Sequence, residues 1–452
     1  MKKLVLFQIL FLISQSDIVW SFNESDNRLT CNEAVITAKN NNPTVAKAYE
    51  SLQAAIYRHN QTLSAYHPEI SASGNTGVSV NDYFNPKDNF SYRDYLSASY
   101  SMSLNLSYQI YDGMKRQANK LYTLRQKEAE SELLKDAVRI LEHSVCMAYY
   151  DAILMREEIR ISKTDLNYQN DMIKNSELKR KAGLVDFIDE YNFKTKANIA
   201  YAQLKGYEEL FKAKLSILAS LIGIEAANFS VTPELDPVPL PSDFSAKVEN
   251  LETCKILAWQ NRTDLKALSK QMESLRFKED SVKAKFYPDV FVKGYIATSG
   301  NDYNYTNGPS GIFSNKMEYG LSLLFSYNIW DGNLIKNELL ESQSISRKIE
   351  QTVKELRNRI AKDVTSAYLE FESAKEKSRI LHENISLQHK LTELVRMRFD
   401  KGMATITHLN EVLRDLIYAE RASVQAVIQL LMAHSALKTE MGLTLEINKQ
   451  KR

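Results

Sequence analysis

Apolar and polar residues alternate strictly from Tyr100 to Ile110. Tyr100, Met102, Leu104, Leu106, Tyr108 and Ile110 take one side, and Ser101, Ser103, Asn105, Ser107 and Gln109 take the other. A period of two held this long predicts a β-strand with one apolar and one wet face. The pattern returns 219 residues on, where Tyr319, Leu321, Leu323, Phe325, Tyr327 and Ile329 lead into Trp330-Asp331-Gly332. Eight of the fourteen aligned positions of 100–113 and 319–332 are identical, so the chain is an internal duplication. Each copy also has an earlier strand. Ile70, Ala72, Gly74, Thr76, Val78 and Val80 alternate after Pro68, and Val290, Val292, Gly294 and Ile296 after Pro288. Polar loops rich in Asn, with Pro86 and Pro309, join the members of each pair and complete two predicted β-hairpins.

Such a hairpin suits a soluble sandwich or a membrane barrel. Length and edging favour the barrel, because a tilted transmembrane strand needs about 9–11 residues with aromatics at both interfaces. Tyr100 and Tyr111 bracket the first copy, and Tyr319 and Trp330 the second. Two hairpins give one chain four strands, whereas single-chain barrels begin at about eight. An open edge in lipid would leave backbone groups unpaired. Strands in a membrane therefore require several copies of the chain, and three copies supply twelve.

After each hairpin the period becomes helical. Val138, Val145, Ala152, Ile159, Leu166 and Ile173 recur every seven residues, beside Leu134, Leu141, Ala148 and Met155. Val353, Ile360, Ala367, Ala374 and Leu381 do the same in the second half. These are coiled-coil seams. Each long run closes on a glycine, Gly183 or Gly402, and at about 1.5 Å per residue spans about 100 Å. Shorter helices return to Gly223 and Gly442, and a helical period broken near Pro43 precedes the first hairpin.

The resulting organisation starts with a signal peptide over 1–21. The first repeat, 22–223, holds a helix, a β-hairpin over 66–111, a long helix over 115–182 and a return helix over 186–222. A proline-rich linker occupies 224–247. The second repeat, 248–442, holds a helix, a hairpin over 287–330, a long helix over 334–401 and a return helix over 405–441. A basic tail fills 443–452. The signal rests on Lys2-Lys3, the short apolar run Leu4–Ile13 and small residues at Ser16 and Ser21, either of which suits cleavage.

Composition narrows the function. Lys and Arg total 58 against 56 Asp and Glu, a formal net charge of +2, which lacks the clustered basic footprint of a nucleic-acid binder. Only 14 Gly and 9 Pro fit a largely helical chain. Cys31, Cys146 and Cys254 are three, so one must be unpaired. A Cys31–Cys254 disulfide is allowed in an oxidising compartment, and free buried thiols are the favoured alternative. Cys31 lies well past the apolar run, which weighs against a lipid anchor there. There is no P-loop, nucleophile elbow, His-Glu-x-x-His or zinc-spaced cysteine pair. His382 and His389 stand one heptad apart, too far for one metal. No enzyme, cofactor or metal is expected.

The duplicated unit resembles the TolC family of outer membrane efflux proteins. The matching residues are Tyr66-His67-Pro68 and Phe286-Tyr287-Pro288 before the first strands, and Ile110-Tyr111-Asp112-Gly113 and Ile329-Trp330-Asp331-Gly332 after the second. Val145-Cys146-Met147-Ala148-Tyr149 and Val364-Thr365-Ser366-Ala367-Tyr368 fit as well, as do Gly183 and Gly402. The set runs from about 29 to 443. The resemblance implies a mainly α protein with membrane β, a homotrimer whose twelve-stranded barrel is continuous with a long periplasmic α-helical coiled-coil barrel. It implies a passive outer membrane channel with porin-like conduction, serving efflux or type I secretion. Its implied partners are outer membrane lipid, a periplasmic adaptor (membrane fusion) protein and an inner-membrane transporter of RND, ABC or MFS type.

By the same resemblance, adaptor hairpins dock at the glycine turns, here Gly183-Leu184 and Gly402-Met403. The periplasmic gate falls on Asp186, Asp189, Phe399, His408 and Glu411. Members often carry a Tyr three before the second-half Gly, an Arg two after it and acidic residues six and nine after it. This chain has Phe399, Ala404, His408 and Glu411 there, so a less tightly latched gate is expected. Three copies of His408 around one axis would repel when protonated unless Glu411 offsets them, making conduction sensitive to pH.

Overall fold

The computed structural model describes residues 28–85, 91–181, 187–224, 234–235, 249–304 and 316–443. The signal segment 1–21, nearly all of the linker 224–247 and the tail beyond Leu443 lie outside the described residues.

The order of elements repeats. A short strand β1 (Arg28–Leu29) precedes α1 (Cys31–Asn41) and α2 (Pro43–Ser64). Strands β2 (Glu69–Asn85) and β3 (Ser91–Tyr111) lead to α3 (Lys115–Lys181) and α4 (Phe187–Ile222). The second pass starts with β4 (Glu234–Leu235), then α5 (Leu251–Asn261) and α6 (Thr263–Lys283). Strands β5 (Asp289–Asn304) and β6 (Lys316–Ser326) precede α7 (Leu334–Asp400) and α8 (Ile406–Glu440). The chain separates into two compact units, one from 1–47, 136–262 and 359–452, the other from 48–135 and 263–358.

Local chemistry sets the helix ends of the first unit. Thr30 and Glu33 form a capping box, with Thr30 Oγ1 accepting from the Glu33 amide at 3.2 Å and Glu33 Oε2 accepting from the Thr30 amide at 3.0 Å. Asn42 turns extended ahead of Pro43 and ends α1. Its Oδ1 then accepts from the Thr44 amide at 2.8 Å to start α2, while its Nδ2 donates to Leu221 O at 2.8 Å. In the second pass Arg262 takes that extended place, and its guanidinium pairs with Glu440. The returning helices α4 and α8 both close in the same hydrogen-bonded motif. Ile224 N donates to Ala219 O and Leu443 N to Lys438 O, each at 3.0 Å, around Gly223 and Gly442 in the left-handed region.

The core of this unit gathers Leu29, Val35 and Ala38 against Leu141, Val145, Ala152, Leu218 and Ile428. The heptad rows of α3 thus supply its buried stripe. Tyr149, fully buried, donates its hydroxyl proton to Leu29 O at 2.8 Å. Glu158 is buried but paired, with Arg421 Nε at 3.2 Å and Gln425 Nε2 at 3.0 Å. No bond joins any two of the three cysteines in this structure. Cys254 Sγ faces Glu249 O at 3.5 Å, whereas Cys31 Sγ lies 2.8 Å from Cys146 Sγ, so Cys31 has Cys146 rather than Cys254 for a neighbour.

His434, in α8, sets its ring 5.8 Å from that of Phe371. Burial, aided by Lys438, lowers its pKa from 6.5 to about 4. The fold favours the neutral ring, so the unfolded chain takes up the proton first as pH falls. This contribution is complete above pH 6.5 and is lost progressively as pH falls toward about 4. The unfolding midpoint is expected to drop across that window, less so in His434→Gln. An equal drop in both proteins would remove His434 as the source.

The second unit contains a four-stranded antiparallel sheet in the order β2-β3-β5-β6, so the two hairpins meet at β3 and β5. Its register aligns Ile70, Leu106, Gly294 and Leu321 in one row and Ala72, Leu104, Ile296 and Tyr319 in the next. These rows make one apolar face across all four strands. The opposite face carries Ser73, Ser103, Ala297 and Glu318, then Asn75, Ser101, Ser299 and Lys316. Two glycines are covered by rings: Tyr100 lies over Gly300, and Tyr295 over Gly320.

Each hairpin ends in an acidic residue followed by two left-handed positions, Gly113-Met114 and Gly332-Asn333. Asp112 Oδ2 accepts from the Arg116 amide at 2.8 Å and Asp331 Oδ2 from the Ile335 amide at 2.9 Å, which starts α3 and α7. The two copies differ in how far the second strand runs. Period-two alternation carries β6 to Trp330, but it stops at Ser326. Its only neighbour in the sheet, β5, begins at Asp289 opposite Ser326, directly after Pro288, which has no amide proton to give. Strand β3 continues to Tyr111 because β5 still pairs with it there, past a bulge between Gln109 and Tyr111.

Candidate functional site

Two regions hold the features expected to act. The first is the sheet. Leu321, Leu323 and Phe325 of β6 are 78%, 69% and 65% exposed, and Met102 and Ile110 of β3 are also exposed. Apolar side chains in contiguous rows facing outward make a patch that needs a non-aqueous neighbour. Among the described residues no helix is long and apolar enough to cross a membrane. The edges are β2 and β6, each flanked by one strand of the chain's own sheet. Arg116 holds the end of β3, reaching Asp112 Oδ2 at 3.0 Å and the carbonyls of Gln109 and Ile110 at 2.8 and 3.2 Å.

The second region is where the long helices turn back, in the first unit. At the end of α7, Met403 N donates to Arg398 O at 2.8 Å and Gly402 N to Phe399 O at 2.9 Å, with Gly402 at φ +73°. Thr405 then caps α8, its Oγ1 accepting from the His408 amide at 3.3 Å. Below the turn, Met172, Phe193, Val395, Leu409 and Val412 form a small core joining α3, α4, α7 and α8. Phe399 is half-buried against that core. His408 and Glu411 are exposed on one face of α8, with Nδ1 and Oε2 3.9 Å apart. Met403 is exposed, and among the described residues, chain neighbours aside, no atom lies within 4 Å of where a Cβ on Gly402 would sit. Gly183, Leu184 and Asp186 lie outside the described residues. Asp189 falls in the first turn of α4, its side chain likewise outside them.

Sequence spacing alone does not single out Glu190. It is buried, pairing with Lys194 Nζ at 2.6 Å and Arg180 Nε at 2.9 Å. The Lys194 hydrogen bond, with help from Arg180, holds its carboxyl below the usual carboxylate range. The Arg180 guanidinium also lies 4.7 Å above the Phe187 ring, which stacks toward Tyr191. The i,i+4 spacing of Glu190 and Lys194 is a signal a sequence can give; the link from α4 to Arg180 of α3 is not. Among the described residues no group of three or more His, Cys, Asp or Glu is placed to hold a metal ion.

The family model described as outer membrane efflux protein matches residues 35–223 and 257–443, one match per repeat. No curated protein matches the sequence. The fold is similar to that of CusC, studied in transmembrane channel formation, with a TM-score of 0.77 at 14% identity over 93% of each chain. It is also similar to the CmeC outer membrane channel of Campylobacter jejuni, with a TM-score of 0.76 at 13% identity over 91% of this chain and 85% of that one. The outer membrane protein VceC of Vibrio cholerae gives 0.73 at 15% identity, over 92% and 97%.

Proposed function

We propose that this chain, which belongs to the outer membrane efflux protein family, is the passive exit duct of a tripartite efflux or type I secretion assembly. It is an outer membrane channel protein with a periplasmic helical part, not an enzyme. The finer reading is a homotrimer in which β6 of one copy pairs with β2 of the next. A twelve-stranded barrel then closes with no edge exposed to lipid. The observation that carries it is the four-stranded sheet, with apolar rows from Ile70 to Leu321 and from Ala72 to Tyr319 across one face, bounded by β2 and β6.

Substrates would arrive from an inner-membrane transporter of RND, ABC or MFS type through a periplasmic adaptor protein. The adaptor would dock at Gly183-Leu184 and Gly402-Met403. The Gly402 turn supports this part, because an exposed Met403 beside a glycine with open space lets another helix approach closely. Asp186, Asp189, Phe399, His408 and Glu411 would form the gate, with Glu190 and Arg180 fastening α3 to α4 beside it.

The experiment is reconstitution in planar bilayers after detergent extraction. A particle of three copies is expected to conduct without any energy source. Its conductance is expected to change between about pH 5 and 7.5, and to lose that change in His408→Ala. A monomer that washes from the envelope with salt alone would end the channel reading. A pH profile unchanged by His408→Ala would end only the gate reading.

A further inference from the structure

The face of α3 against which residues 29–39 are packed contains a pair of sulfur atoms that the channel reading does not use. Glu142, Cys146 and Tyr149 follow at i, i+4 and i+7 and form one stripe of that helix. Each meets the segment from 29 to 39. Glu142 pairs with Lys39 Nζ at 2.5 Å, Tyr149 bonds Leu29 O at 2.8 Å, and Cys146 Sγ stands 2.8 Å from Cys31 Sγ. Cys31 is the first residue of α1, fixed in place by the Thr30–Glu33 capping box immediately before it. The two sulfurs need to close by only about 0.8 Å to reach the roughly 2.05 Å of an S–S bond. Nothing comparable exists in the second repeat, where the aligned residues are Leu251 and Thr365.

We propose that Cys31 and Cys146 form a disulfide that fastens the first helix to the long helix of the first repeat. The chemistry is an exchange with a thiol–disulfide oxidase of the envelope. The Cys31 sulfur, half-exposed, attacks one sulfur of the oxidant's disulfide, and the other sulfur leaves as a thiol. Cys146 then attacks Cys31 Sγ, forming the new S–S bond and releasing the oxidant as a dithiol that has gained two electrons and two protons. Cys146 is nearly fully buried, and its hydrogen bond to Cys31, together with that burial, pushes its thiol up. It therefore reacts second, within the protein, and not with solvent reagents. The bond closes a loop of 115 residues that includes the whole first hairpin, a length at which cross-linking constrains the unfolded chain strongly. Cys254 stays a thiol.

The proposal rests on envelope localisation only for the oxidant, so the test is made on purified full chain in detergent. Protein equilibrated in oxidised and reduced glutathione is acid-quenched, denatured and labelled with a maleimide polymer that adds mass per thiol. One adduct is expected before reduction and three after it; Cys254→Ser should give none and then two. Three adducts before reduction would overturn the proposal, leaving the channel reading untouched. Two adducts before reduction in Cys254→Ser would overturn it as well, because wild-type oxidation would then have used Cys254.

Discussion

Leu323→Arg is expected to abolish the assembled channel. Leu323 sits midway along β6, 69% exposed, opposite Val292 on the apolar face. An arginine at the middle of a lipid-facing strand costs about 2–4 kcal/mol, and a ring of three copies incurs it three times. The proposed trimer should be lost from gels run without boiling, and bilayer conductance with it. Ser101→Lys is the matched control, since Ser101 points to the polar face between Asn75 and Ser299. That variant should assemble. Equal loss in both would mean that the two faces meet the same medium, and no barrel could be inferred.

The second large effect is expected at the glycines that end the returning helices. A Cβ on Gly223 would lie 2.7 Å from Asn41 O, and one on Gly442 2.7 Å from Arg262 N. Both contacts are to backbone, which has no rotamer to give, and both glycines have a positive φ. Gly223→Ala and Gly442→Ala should each cost about 3 kcal/mol, from left-handed strain plus displaced backbone. Gly402 provides the comparison. Its φ of +73° is nearly the same, but among the described residues nothing lies within 4 Å, so Gly402→Ala should cost about 1–2 kcal/mol from left-handed strain alone. Urea midpoints measure all three, and equal losses would show that the contacts with Asn41 and Arg262 carry no weight.

These two expectations differ in how much of them a reader of the bare chain could reach. The apolar face was legible at Tyr100–Ile110 and Tyr319–Phe325 because side-chain direction alternates with position, whatever the strands pair with. The start of helix after Asp112-Gly113 and Asp331-Gly332 was legible because the apolar period changes there from two to a helical one. The early end of β6 was not, since it depends on where β5 begins across the sheet. The rings over Gly300 and Gly320 depend likewise on cross-strand register. The partner of Cys31 was equally hidden. Sequence allowed Cys254, and only packing of α1 on α3 selects Cys146. At the turn region, Phe399 and His408 could be placed by counting from Gly402, whereas Arg180 and Glu190 are ten residues apart across a helix reversal that no periodicity encodes.

The unequal lengths of the outer strands have a consequence for how such a ring comes apart. Inside one chain, β3 lies along β5 from Leu96 to Tyr111, whereas β6 offers 11 described residues on each of its sides, to β5 and to a neighbour. The described part of β6 therefore limits the second hairpin and the joint to the next copy alike, and β2, at 17 residues, is longer than either. Under load or heat such a circle would part first on either side of β6, while the longer β2–β3 and β3–β5 seams hold.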